Sequence, residues 1–347
     1  MNLLFNDHHI RLDLGNFCNL KCPSCFRTTW NAPWLNTSYT KLDEVKQWFP
    51  PEFLDERVKT FNLNGASSEP TLNPQFMEIV EYLSPYVKYL KVSSNGSTRT
   101  TDWWYQLGKK QKTIVYFSVD TLTPGNELYR INAQTEKIVE NLRAYTSAGG
   151  KAILKQILFK HGQHEVENFE ALAKELGCEY SIRPSYDFSP EKTSYEVTNN
   201  GKTYTLEKNT TKMQKQSPFS FSADGPQDCC DLSKYHLNIV TYNGIVYPCC
   251  FVEGLFFKFY EDFFLDETKV KPKDRSFHPR FYDDFIGPLE QAGGIKTLSL
   301  RYNTMEEILT GSFYRAKLPF TWKMKKNVTC AACPNFPVEV PLDKLDN

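Results

Sequence analysis

The chain has 347 residues, 40% of them hydrophobic and 14% aromatic, enough for a large core and a smaller second one. Its 41 basic and 41 acidic residues cancel, which excludes the overall charge footprint of a nucleic-acid-binding protein or of one held to an anionic membrane, and no apolar run approaches a membrane span. The opening Met1-Asn2-Leu3-Leu4-Phe5-Asn6-Asp7 lacks the basic and apolar regions of a signal peptide, so the ten cysteines point to a reducing, cytoplasmic setting and metal ligation rather than disulfides.

Residues 8–184 read as alternating strands and helices. His9 to Leu14 alternates with period two and predicts a strand, with His8 and His9 as ordinary surface residues at its start. A helix over Lys41 to Phe49 is closed by Pro50-Pro51, and a strand follows at Thr60 to Asn64. The pattern continues as helix (74–83), strand (87–93), helix (102–109), strand (113–119), helix (133–147), strand (152–159), helix (165–176) and strand (179–183). Such alternation implies parallel strands with right-handed crossovers. About six βα units are too few for a closed eight-stranded barrel. The expected fold class is therefore α/β, a partial (β/α)6 TIM-like barrel over 1–184. Residues 185–228 are polar and read as a linker, with a solvent-facing β-hairpin turned at Asn199-Asn200-Gly201. Residues 229–347 hold six of the ten cysteines and predict a smaller α+β module.

Directly after the first predicted strand come Cys18, Cys22 and Cys25, spaced C-x3-C-x2-C, and no further cysteine precedes Cys178. A [4Fe–4S] cube normally takes four thiolates, so three would leave one iron open to a ligand that is not protein. A zinc site would want a fourth ligand, and no nearby histidine completes the set. Cys178, at the entry to the last predicted strand, reads as a small buried hydrophobe.

This arrangement resembles the radical S-adenosylmethionine (SAM) superfamily. Asn64-Gly65-Ala66-Ser67-Ser68-Glu69-Pro70 is similar to that family's Gly-Gly-Glu-Pro segment, which binds the SAM amine, although Ser67-Ser68 stand where the glycine pair would be. Ser93-Ser94-Asn95-Gly96 is similar to its Thr-Asn-Gly turn near the ribose and methionine. The resemblance implies SAM contacts at Gly65, Ser68, Glu69, Ser94, Asn95, Ser118, Asp120 and Arg130. Among these, Ser118 and Arg130 would hold the carboxylate, for which a hydroxyl and a cationic fork are the fitting chemistry. It also implies the reaction: reductive cleavage of SAM to a 5′-deoxyadenosyl radical that abstracts a hydrogen atom.

In the carboxy-terminal third, Cys230, Cys249 and Cys330-Ala331-Ala332-Cys333 resemble the SPASM/Twitch extensions of radical SAM enzymes. That implies a second, auxiliary [4Fe–4S] cluster on Cys230, Cys249, Cys330 and Cys333. Cys229 and Cys250 are rivals of their neighbours, and four thiolates would equally suit zinc. The aromatic stretch 251–285 reads as core and docking surface, with a peptide groove as the alternative. Lys155, Gln156 and Arg183 are candidate pocket residues, His161 and His164 are expected to be solvated, and no general base stands out. The expected substrate is a peptide or protein side chain. The alternatives are dehydrogenation of a small polar molecule and a non-catalytic iron–sulfur or zinc protein. The expected partner is a one-electron donor such as flavodoxin or ferredoxin; no membrane or nucleic-acid partner is expected.

Overall fold

A computed structural model describes residues 8–30, 35, 38–65, 68–110, 112–185, 187–188, 191–211, 237–248, 250–318 and 320. The chain folds into two compact units, and it crosses between them several times. One unit comprises 1–12, 40–61 and 224–347; the other comprises 13–39 and 62–223.

In the first unit, strand β1 (His8–Leu12) runs parallel to β9 (Leu237–Val240), with His9 opposite Leu237 and Leu12 opposite Val240. A two-residue strand, β10 (Val246–Tyr247), pairs antiparallel on the far side of β9. Strand β2 (Val58–Leu63) begins in this unit and ends in the other. The helix Leu42–Trp48 buries Val45 and Trp48. Pro50-Pro51 ends it as expected, but Pro51 also opens a new helix, Pro51–Arg57, because a proline at the first helical position has no N–H to leave unsatisfied.

His8 and His9 are buried rather than on the surface: His9 Nδ1 lies 2.7 Å from Thr60 Oγ1, and the His8 ring stacks on Phe53. The period-two pattern that marks a strand does not tell a solvated face from one covered by a neighbouring strand. The aromatic stretch is core. Phe256, Phe257, Phe259, Tyr260, Phe263, Phe281 and Phe285 are all buried, while Phe277 is exposed. Buried Glu253 in the same region is held by Arg11, with Nη2 2.6 Å from Oε2.

The second unit contains four parallel strands in the order β3 (Tyr89–Ser94), β4 (Thr113–Ser118), β5 (Lys151–Leu158) and β6 (Glu179–Pro184). The set is open and ends at β6, so the α/β reading with an unclosed parallel sheet holds. Helices cover the strands by apolar spacing: Ile138, Leu142 and Tyr145 recur along one face of Thr135–Ser147 and are buried. Tyr145 Oη also donates to the Thr113 carbonyl, 3.0 Å away, at the start of β4. The hairpin forms from β7 (Ser194–Asn199) and β8 (Lys202–Glu207). It is not wholly solvent-facing: Val197 and Leu206 are buried with Tyr129, Ile131 and Phe159. No helix among the described residues is long and apolar enough to cross a membrane.

Candidate functional site

Every amino-terminal cysteine and every candidate SAM contact singled out from the sequence lies in the second unit, and most take part in hydrogen bonds there. The cysteine loop begins at residue 13 and is fastened from three sides. Asn73 Nδ2 donates to the Leu14 carbonyl (2.9 Å), the Glu69 N–H to the Phe17 carbonyl (2.9 Å), and the Lys21 N–H to the Ile131 carbonyl (3.1 Å). The Cys25 N–H turns back onto the Cys22 carbonyl at 3.0 Å, and the short helix Phe26–Trp30 follows at once. Leu20 is buried, while the three cysteines remain partly exposed at the loop surface.

Burial pushes the Cys18 thiol up to about 12, and the Glu69 carboxylate pushes it the same way against the Leu20 N–H. Burial likewise raises Cys22 to about 11, opposed by the Arg130 guanidinium. Cys22 and Cys25 both push the Cys18 thiol in the same upward direction. Among the described residues no three His, Cys, Asp or Glu side chains are drawn close enough to chelate one metal ion. An all-sulfur donor set suits an iron–sulfur cluster better than a single hard ion, and Cys18, Cys22 and Cys25 are the residues that would hold one.

Glu69 is the hub beneath the loop. Its side chain is buried; Oε1 accepts from the Thr71 N–H (3.2 Å), Thr71 Oγ1 (2.6 Å) and Ser94 Oγ (2.7 Å), and Oε2 accepts from the Asn95 N–H (2.8 Å). Burial raises its carboxyl above the ordinary range, and these donors work against that rise. A carboxylate offers about four acceptor directions, so Oε2 keeps capacity for a further donor. Gly65 has no room for a side chain: a Cβ there would lie 2.2 Å from Ser68 Oγ. The Ser68 hydroxyl is itself buried with no hydrogen-bond partner among the described residues, an orphan beside Glu69 in the chain. Gly96 adopts φ +69°, which lets the turn after β3 close over Phe117.

After β4 the chain builds a buried ion pair. Arg130 Nη2 donates to Asp120 Oδ1 at 3.0 Å, and Arg130 Nε lies 2.9 Å from Oδ2. Burial works against the Arg130 charge, but Asp120 and Cys22 outweigh it and hold the guanidinium above its ordinary value. Asp120 is fixed in turn: Oδ1 accepts from the Ile157 N–H (3.0 Å), its own N–H donates to Asn126 Oδ1 (2.9 Å), and Gln156 Nε2 donates to its carbonyl (2.9 Å). Gln156 is therefore a fully buried support of Asp120 and not a pocket residue, while Lys155 and Arg183 are partly exposed. Ser118 ends β4 half-buried, and its hydroxyl has no hydrogen bond among the described residues. Cys178 is partly exposed rather than buried.

Sequence reasoning missed several members of the site. Thr71, Asn126 and Ser97 carried no motif signal. Nor did the hairpin, whose Tyr195 Oη donates to Asp187 Oδ2 (2.9 Å) and accepts from Ser24 Oγ (3.3 Å) of the cysteine loop. Cys22 packs against the same apolar cluster as Val197 and Leu206. Cys229, Cys230, Cys249, Cys330 and Cys333 lie outside the described residues, as does the side chain of Cys250.

His164 is exposed as expected, but His161 is not. Its ring stacks on Phe159 and its Nε2 is buried with no hydrogen-bond partner among the described residues. Burial holds the imidazole below its ordinary range, partly opposed by Asp120 and Glu165. The neutral form is thus favoured in the fold, and the unfolded chain takes up a proton first. Stability from this group is complete above about pH 6.5 and falls as pH drops below it towards the lower folded value. Urea titrations at a series of pH values are expected to show that loss, and His161→Phe to remove this component; an unchanged profile in the variant would contradict it.

Residues 12–176 match the family model described as the radical SAM superfamily. Among curated proteins, the chain is 28% identical over 118 residues to a tungsten-containing aldehyde ferredoxin oxidoreductase cofactor-modifying protein of Pyrococcus furiosus, covering 33% of this chain and 31% of that one. It is 26% identical over 180 residues to the mycofactocin maturase MftC of Mycobacterium ulcerans, covering 50% and 47%. The chain thus spans half or less of the length of these relatives. Streptococcus suis SuiB bound to precursor peptide SuiA superposes with a TM-score of 0.52 over 73% of this chain and 61% of that one. At 12% identity this likeness carries the fold alone.

Proposed function

We propose, from the match of residues 12–176 to the radical SAM superfamily model, that the chain modifies a peptide or protein side chain by SAM-dependent radical chemistry. The observation that supports this best is the stitching of a partly exposed three-cysteine loop to the Glu69 hub and the Ser94–Ser97 turn. When bound, a [4Fe–4S] cluster and SAM supply reductive cleavage to methionine and a 5′-deoxyadenosyl radical that takes a hydrogen atom from substrate.

The protein's own residues bind and orient. Cys18, Cys22 and Cys25 would anchor three irons and leave the fourth for SAM. Glu69 Oε2 and the orphan Ser68 hydroxyl are the acceptors suited to the SAM amine, in a segment that Gly65 keeps tight. The Arg130 edge not engaged by Asp120, with the Ser118 hydroxyl, suits the carboxylate. Ser94 and Asn95 shape the adjoining turn. The inner face of the hairpin packs against Cys22.

The choice of a peptide substrate is supported by the name of MftC, a maturase, and by the SuiB structure with its precursor peptide. We read residues 229–347 as the module for an auxiliary cluster on Cys230, Cys249, Cys330 and Cys333, serving as electron acceptor. Flavodoxin or ferredoxin is the fitting class of donor.

The test is anaerobic reconstitution, reduction with dithionite and addition of SAM. The proposal expects 5′-deoxyadenosine, and a mass change on a short peptide encoded beside the protein's own gene. Turnover of a free polyol instead of the peptide would overturn the substrate class. Intact clusters with no nucleoside release would overturn the enzymatic reading altogether.

A further inference from the structure

We propose that Asn95 tunes the reduction potential of the cluster through a hydrogen bond to the Cys18 sulfur; the inference rests on the reading of the three-cysteine loop given above. Asn95 Nδ2 lies 3.7 Å from Cys18 Sγ, within reach of an N–H···S bond, and 2.9 Å from Asn19 Oδ1. The Cys18 sulfur also accepts from the Leu20 N–H at 3.4 Å. It thus receives two N–H dipoles, one from its own loop and one from the turn after β3.

The orientation of the Asn95 carboxamide is fixed. Its Oδ1 accepts from the Ser97 N–H at 2.9 Å and from Ser97 Oγ at 2.7 Å. A backbone N–H can only donate, so turning the amide over would set donor against donor. The Asn95 backbone is pinned as well, its N–H held by Glu69 Oε2. Asn95 is buried, so water does not compete for these bonds. The sequence Glu69–Asn95–Cys18 is therefore a rigid relay from the hub to one ligand.

An electron added to an iron–sulfur cluster spreads onto its sulfurs. An N–H aimed at a ligand sulfur stabilises the electron-rich state more than the oxidised one, which raises the potential. Asn95 is thus a positioning residue, acting on the ease of reduction through Cys18.

Asn95→Asp separates this role from that of shaping the turn, because a carboxylate oxygen still accepts from Ser97 while the donor to Cys18 becomes an anion. The full-length protein and its variants are reconstituted anaerobically. Iron and acid-labile sulfide are counted, and the cluster signal that SAM alters is followed by EPR during a redox titration without SAM. The expectation is parent-like iron content in Asn95→Asp and a midpoint moved to more negative potential. At the parent's midpoint the reduced-to-oxidised ratio should fall about tenfold, which for one electron is about 59 mV. Asn95→Ser should shift the midpoint the same way by less, and it serves as the deciding variant if the aspartate does not load iron. Loaded variants with the parent's midpoint would overturn the proposal while leaving the cysteine reading intact. A parent without a cluster whose signal SAM alters would overturn both.

Discussion

Cys22→Ser is expected to empty the amino-terminal site, lowering iron and sulfide by about four of each per chain and reducing 5′-deoxyadenosine formation to background. Serine keeps the volume, and the backbone turn in which the Cys25 N–H meets the Cys22 carbonyl needs no sulfur. The fold should therefore survive while an iron loses its anchor. Burial raises the Cys22 thiol to about 11, and Arg130 is the charge that opposes the rise; a serine hydroxyl, far less acidic than a thiol, offers iron no comparable ligand. Iron and sulfide assays, nucleoside chromatography and far-ultraviolet circular dichroism on the same preparations check this. A variant with full iron and normal cleavage would mean that the loop is not the anchor.

The second large effect concerns stability. Asp120→Ala should lower the unfolding free energy by about 3–5 kcal/mol, the range for breaking a buried pair from one side. Arg130 is only 8% exposed and Asp120 1%, so the orphaned guanidinium has little water to turn to. The Ile157 N–H would lose its acceptor at the same time. Replacing both partners, as in Asp120→Ala with Arg130→Met, should cost less than Asp120→Ala alone, because no charge is then stranded. Denaturant titration of the four proteins of that cycle reads the coupling directly. A single variant within about 1 kcal/mol of the parent would mean that the pair is not a structural clamp.

How much of this was visible in the residues depends on how local the cause was. Strands β3 to β6 and the helices between them follow from apolar spacing and from stops such as Gly149-Gly150, which act within a few residues. Strand β9 was not legible, because four residues of Leu237–Val240 pair with β1 more than two hundred positions away. Pro51 was legible as a stop but not as a start, since the same ring geometry serves both. In the site, Glu69 and Asn95 were readable as motif residues, yet the bonds between them were not. Their partners Thr71 and Ser97 are common turn residues that carry no distinguishing spacing. The burial of Gln156 within β5 and of the His161 Nε2 in the loop after it also escaped, because neither a strand's alternation nor a following loop shows what will pack over it.

The interleaving of the two units bears on how the molecule is made. The unit that holds the cysteine loop has its last residue at 223, whereas β1 must wait for β9 at 237–240. The 17 residues from 224 to 240 that β9 requires take roughly 1–3 s to be made at about 5–20 residues per second. During that interval the cysteine loop, Glu69 and the Ser94–Ser97 turn can already close on the ribosome. Strand β1 therefore gains β9 as a neighbour only after the unit that holds the cysteine loop has been synthesised.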